Sequence, residues 1–304
     1  MVNNKILFWP SPKKIEHIKN INIFKSESDV EILLEKLFSG GYPVLLSSGR
    51  ASITMAFRIM NAKRNSKTST FPYANHCVLE SISRYSIPVE ESYSNPDYKI
   101  YYHQWGYSKQ IKFKKILIED SVDTMYQPGS NLFYSNGEFE IWSLKKILGT
   151  LNGGVLWCKS RSHAIEARKQ RSIMQHKYIH YFIKLFSKKE SYFDLSSSSI
   201  ESHIGNIPSF ALGEIYNSIK NWHIYSNERL EKYDYFREYL ERKNLFFNGR
   251  LPNAIPVEVN LLPDDITSRF DYQKRIFDGI EVFPLPIHNQ VPRKLLLDIK
   301  AILN

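Results

Sequence analysis

Four short segments carry residue types that could do chemistry, and each falls where a hydrophobic run ends. Leu46-Ser47-Ser48-Gly49-Arg50-Ala51-Ser52 is a small-residue turn between an apolar run and a helical pattern. Such a turn offers backbone N–H groups at the positive end of a helix, which suits a phosphate. Phe71-Pro72-Tyr73-Ala74-Asn75-His76-Cys77 brings rings to a helix start, where one could stack on a flat ligand. Ile118-Glu119-Asp120-Ser121-Val122-Asp123 sets carboxylates at a strand end, as a helix cap or as the partner of a cationic ligand atom. Ser143-Leu144-Lys145-Lys146 precedes Asn152-Gly153-Gly154 by a few residues. A lysine in a desolvated site is the nucleophile of Schiff-base chemistry. Taken singly, each has an ordinary structural reading: a cap, a turn, a solvated lysine.

The elements that must position these segments alternate. Pro43–Leu46, Thr68–Phe71, Ile100–His103 and Lys115–Ile118 read as strands, and 51–62 and 76–85 as helices, with Asn75 a possible N-cap. Phe139–Trp142 and Val155–Cys158 read as an antiparallel pair. Residues 164–185 and most of 208–243 are helical, the latter with Leu212, Ile215, Tyr216, Ile219, Trp222 and Ile224 on apolar positions. Strands follow near 255–259 and 279–283, and a helix spans 294–303. This predicts an α/β fold, a mostly parallel sheet covered by helices, with a smaller C-terminal α+β domain. The expected division is 1–190 and 191–304. In open α/β sheets, ligands bind beyond the carboxyl ends of the strands, where these four segments lie.

Order and spacing together resemble one family. Phosphate turn, stacking ring, acid after a strand and lysine before Gly-Gly is the layout of fold type I enzymes that use pyridoxal 5'-phosphate (PLP). The chain looks like the DegT-type sugar aminotransferases, in particular a shorter branch with Ser-Leu-Arg-Lys ahead of Asp-Gly-Gly. Tyr102-His103-Gln104-Trp105-Gly106, Ile118-Glu119-Asp120 and Leu285-Pro286-Ile287-His288 are similar to further family segments. The resemblance runs from about Leu45 to the C-terminus.

That resemblance implies roles. Lys146 carries the cofactor and moves the proton, and Asp120 keeps the pyridine nitrogen protonated. Ser48, Gly49, Arg50 and Ser143 meet the phosphate, His76 stacks on the ring, and Lys145 is an exposed neighbour. Asp123, near the cofactor ring, stands where the family has Gln or His. A second carboxylate there raises one of the two acids' pKa values. A homodimer is implied, with Asn206 and Ser209 reaching the neighbouring site, and His288 belongs to the substrate side. The implied reaction moves an amino group, from glutamate as donor, to a nucleotide-linked keto sugar for surface polysaccharide such as O-antigen. The departures leave a second reading, a pseudoenzyme or sugar dehydratase on the same fold.

Composition bounds these readings. The chain has 304 residues, with 42% hydrophobic and 24% charged, so a sizeable core is available and a disordered chain is excluded. No apolar run approaches a membrane span, and the N-terminus lacks a signal-peptide pattern. Two cysteines, Cys77 and Cys158, point to a reducing cytoplasm and read as buried bystanders. The net charge is +10, concentrated in Lys159–Glu190 with nine Lys/Arg against two Glu. A polyanion-binding helix is one reading of that run and a solvated helix face the other. No nucleic-acid motif accompanies it, so the surplus is assigned partly to a phosphate-bearing cofactor and a nucleotide substrate.

Overall fold

The apolar run Pro43–Leu46 cannot face water on either side, and it becomes a strand of a sheet buried on both faces. In the computed structural model, which describes residues 5–12, 18–21, 24–72, 74–107, 118–173, 206–245, 249–272 and 274–303, that strand is β1 (Tyr42–Leu46). It follows α1 (Glu27–Leu37) and leads into α2 (Gly49–Ile59). Then come β2 (Lys67–Ser69), α3 (His76–Ser83), β3 (Ile87–Val89), β4 (Tyr98–Tyr102), β5 (Ile118–Asp120) and β6 (Met125–Tyr126). β7 (Phe139–Ser143), α4 (Leu144–Leu148), β8 (Gly154–Cys158) and α5 (Arg161–Ile173) complete this part.

Seven strands form one sheet in the order β1-β8-β7-β5-β4-β2-β3. β7, β5, β4, β2 and β3 pair in parallel, and β8 pairs antiparallel with both of its neighbours. The antiparallel pair anticipated at 139–158 is therefore β7 and β8. β1 runs with the parallel strands, so β8 alone is reversed. β3 was not anticipated: it is three residues long and contains Pro88, which weakens any strand signal.

The remaining chain supplies α6 (Ser209–Lys220), α7 (Trp222–Asp234), α8 (Arg237–Arg242), β9 (Arg250–Leu251), β10 (Ala254–Glu258), α9 (Asp264–Thr267), β11 (Arg275–Phe277), β12 (Ile280–Pro286) and α10 (Arg293–Leu303). β10, β12 and β11 make a three-stranded antiparallel sheet, and β9 pairs with β6. Trp222 is fully buried, stacked against Trp142 at 5.4 Å, whereas Ile224, expected on the apolar face, is 52% exposed. No helix among the described residues is long and apolar enough to cross a membrane.

Two packing features fix the edge of the sheet where chemistry was anticipated. The first is a buried acid. Side chains alternate along β5, so Glu119 and Asp120 face opposite sides. Glu119 accepts from His103 Nε2 (2.8 Å), Ser135 N–H (3.0 Å) and Gly137 N–H (2.7 Å). Burial opposes its ionisation, but His103 and the two N–H groups outweigh it and hold the pKa below the usual value. The second is a close backbone approach. A Cβ on Gly154 would stand 2.2 Å from the carbonyl carbon of Ser48, and Gly153, at φ +114°, donates its N–H to Ser47 O at 2.9 Å. The Gly-Gly pair thus brings β8 against the turn after β1.

Part of the basic run has a structural task. Arg168 Nε donates to Glu31 Oε2 at 2.8 Å, and Arg171 Nη1 donates to Glu31 Oε1 at 2.6 Å and to Leu45 O at 2.7 Å. These arginines tie α5 to α1 and β1, a correction to reading that stretch as a solvated face. Residues 174–205, including four of the nine Lys/Arg of the charged run, the Ser-rich tract at 196–199 and the rest of the helix anticipated to 185, lie outside the described residues.

Gly154→Ala tests the close approach. It is expected to cost about 3 kcal/mol, as overpacking against backbone does, measured as a shift in the urea midpoint at unchanged slope.

Candidate active site

The carboxyl ends of β1, β2, β4, β5 and β7, with the amino end of β8, converge on a cavity of about 650 Å³. The register puts Tyr102, Asp120 and Ile141 in one row, and Leu46, Gly154 and Ser143 in another. Because parallel strands end together, residues distant in sequence become neighbours here.

At one end of the cavity lies the start of α2. Ser48 is its N-cap, the side chain accepting from Ala51 N–H at 3.2 Å. Gly49 and Arg50 open the helix, whose first turn offers N–H groups to an anion. A Cβ on Gly49 would lie 3.3 Å from Val122 and 3.6 Å from Ser143 Cβ, so Gly49 keeps this corner open beside Ser143. Ser143 ends β7 and precedes α4 without a side-chain capping bond.

Lys146, on α4, is 26% exposed and lines the cavity, and Lys145 beside it is exposed. Asp120 also lines the cavity and is 2% exposed. Its side chain accepts from Val122 N–H at 3.2 Å. Burial raises its pKa to about 7, the Lys146 charge working against that rise and Asp123 adding to it. The anticipated effect of the second carboxylate is present, but burial is the larger cause.

His76 opens α3, is exposed and lines the cavity, with Asn75 at the cap position but making no side-chain capping bond. Cys77, expected to be a buried bystander, is half-buried and lines the cavity too. Cys158 is buried, and burial pushes its thiol pKa far up.

Three anticipated residues lie elsewhere. His288 is 1% exposed and does not line the cavity. Its Nδ1 accepts from Gln290 N–H (3.3 Å) and its Nε2 donates to Leu7 O (3.0 Å). Burial drives its pKa to about 3, so it is a neutral structural histidine. Asn206 is buried and Ser209 is exposed at the start of α6, both outside the cavity wall.

Sequence reasoning missed Trp9, Tyr102 as a polar group, and Arg275. Trp9 and residues around it roof the cavity. Arg275, on β11, is exposed in the same wall, its guanidinium 4.8 Å from the Phe8 ring centroid. No local pattern links these positions to Lys146.

The residues fit PLP. A helix start suits its phosphate, a lysine amine its aldehyde, and a dry carboxylate its ring nitrogen as a cation.

A family model described as "Putative PLP-dependent aminotransferase" matches residues 31–288. No curated protein matches the sequence. Among solved structures, the chain is similar to Helicobacter pylori PseC, an aminotransferase involved in the biosynthesis of pseudoaminic acid. The TM-score is 0.69 at 11% identity, covering 99% of this chain and 98% of that one. It is also similar to DesV of S. venezuelae, in complex with a ketimine intermediate, at TM-score 0.65 and 11% identity over 96% and 93%. A DegT DnrJ EryC1 StrS aminotransferase from Brucella abortus gives TM-score 0.62 and 11% identity over 95% and 94%. These likenesses carry the fold, and the family model carries the chemistry: the chain belongs to the PLP-dependent aminotransferases.

Proposed function

We propose that the chain is a DegT-type sugar aminotransferase that moves an amino group from glutamate to a nucleotide-linked keto sugar in the cytoplasm, toward a surface polysaccharide. The observation that carries this reading is the convergence of Lys146, Asp120 and the Ser48–Gly49–Arg50 turn on one cavity. The likeness to PseC, involved in the biosynthesis of pseudoaminic acid, supports a sugar as acceptor. When bound, PLP supplies an electron sink for bonds broken at the amino-bearing carbon. Lys146 is the residue that holds it and carries the proton to and from that carbon. Asp120 keeps a proton on the ring nitrogen. Ser48, Gly49, Arg50 and Ser143 hold the phosphate, and His76 covers a ring face. Arg275, exposed in the cavity wall, is a cation for the phosphates of a nucleotide. The active unit is a homodimer, with Asn206 and Ser209 near the second subunit's site.

The purified protein is expected to gain a visible absorption band with PLP, fixed to the chain by borohydride. Lys146→Ala is expected to lose both while keeping its circular dichroism. Glutamate should discharge the band of the wild type, and a nucleotide-linked keto sugar should restore it. A wild type that takes up no PLP defeats the proposal.

Asp120 gives a pH signature in the cofactor-free protein. Its folded pKa of about 7 exceeds the unfolded value, so the folded state binds the proton more tightly. Its contribution is fully present below about pH 4 and is lost as pH rises to about 7. Relative to Asp120→Asn, the wild type should lose about 4 kcal/mol across that window and then level off. Denaturant midpoints measured at each pH check the sign.

A further inference from the structure

Asp123 is 2% exposed, and both of its oxygens are engaged. Oδ1 accepts from Trp9 Nε1–H at 2.7 Å and stands 3.4 Å from Lys146 Nζ. Oδ2 accepts from the Tyr102 hydroxyl, which itself accepts from Trp105 N–H at 3.3 Å. Trp9 meets the lysine a second time: Lys146 Nζ lies 4.4 Å from the centroid of its ring. The amine is therefore held between a carboxylate and an indole face.

Trp9 belongs to a strap, residues 5–12, fastened by the C-terminal part of the chain. Ile6 bridges to Phe270. Leu7 O accepts from His288 at 3.0 Å, and Phe8 O accepts from Asn253 Nδ2 at 2.8 Å. Ser11 N–H donates to Gln290 Oε1 at 2.9 Å, and Gln290 Nε2 donates to Ser11 O at 2.7 Å. With both flanks fixed, the indole has little freedom to leave the lysine.

We propose that Asp123 is a positioning residue for Lys146, held by Trp9 and Tyr102, and that Trp9 makes the N-terminal strap part of the active site. The proposal rests on reading Lys146 as the cofactor lysine. It moves Asp123 from the cofactor ring to the amine. The carboxylate and the ring face both attract the ammonium, and an amine so held is shielded from electrophiles. The clamp thus parks Lys146 in one place in the cofactor-free protein. The charged or titratable groups around the pair include Asp120 from β5, Tyr102 from β4, Lys145 from α4, Arg229 from α7, whose charge Asp123 feels, and Arg275 from β11, 6.0 Å from the Trp9 ring centroid.

The test is acylation of the cofactor-free protein by acetic anhydride at neutral pH, read for each lysine by peptide mass spectrometry. Lys145 is the internal standard. In Asp123→Asn the Lys146-to-Lys145 rate ratio is expected to rise about tenfold, the effect of removing one close opposite charge. Trp9→Ala, which removes ring and donor together, is expected to raise it about threefold or more, in line with the loss of a cation–π contact. Asp123→Glu keeps the charge and should stay within a few-fold of wild type. An unchanged ratio in Asp123→Asn, or an equal rise at Lys145, overturns the proposal. Should Asp123→Asn fail to fold, an unchanged ratio in Trp9→Ala overturns it instead. The visible band with PLP is read separately. Uptake of PLP with an unchanged ratio sinks the clamp alone, and a risen ratio without uptake sinks the functional reading alone.

Discussion

A carboxylate 2% exposed, with one backbone hydrogen bond at 3.2 Å, is costly to keep ionised. Asp120 is that group, and much of the surrounding structure serves to hold it there. Glu119 faces the other side of β5 and is saturated by His103 and the N–H groups of Ser135 and Gly137. That lattice fixes the strand end without touching the cavity. Among the described residues Asp120 has a single donor, so a cation arriving in the cavity finds a partner with bonding capacity left. A fully bonded carboxylate would have a lower pKa and less to gain from a cofactor ring.

The same logic explains the parallel arrangement. Parallel strands end in register, so Tyr102 and Asp120 stand side by side, with Ile141 completing the row. The reversed strand β8 brings a different contribution, its starting glycines, to the same edge. Gly154 packs on Ser48 at a separation no side chain tolerates, which binds the turn after β1 to the lysine-bearing segment after β7. A change at Gly154 therefore disturbs the turn and the lysine together.

Where the chemistry is local, the sequence was readable. The turn at Ser48–Gly49–Arg50, the acid at Asp120 and the lysine ahead of Gly-Gly each carry their signal within a dozen residues, and all lie at the cavity. The strand ending in Asp120 was harder to bound. Its apolar run ends at Ile118, which puts the two acids after the strand, yet both are buried within β5. Trp9 was invisible: it bonds Asp123 from 114 residues away, and no periodicity encodes such a contact. His288 enters through the resemblance of Leu285-Pro286-Ile287-His288 to a family segment, and in the structure it lies outside the cavity wall, a neutral anchor for the strap. Arg168 and Arg171 were read as surface charge, since Glu31, their partner, is far away in sequence.

Charge balance ties these features together. Two carboxylates lie close to Lys146, Asp120 in the cavity wall and Asp123 buried beside it. Behind the lysine, Arg229 is 2% exposed and donates to Ile147 O at 2.9 Å. Burial lowers the Arg229 pKa to about 10, and Asp123 opposes that fall. The acids and Arg229 thus offset one another in part around the lysine, where burial makes an uncompensated charge expensive. A phosphate entering this set needs its own compensation, and Arg50 with the start of α2 stands at the corner where it would lie. A positively charged ring nitrogen needs an anion, and Asp120 is the one with hydrogen-bonding capacity left. The cavity wall carries Arg50, Lys145, Lys146 and Arg275 against Asp120 and Asp271, an excess of cations that suits a ligand bringing a phosphate at one end and a cation, opposite Asp120, at the other.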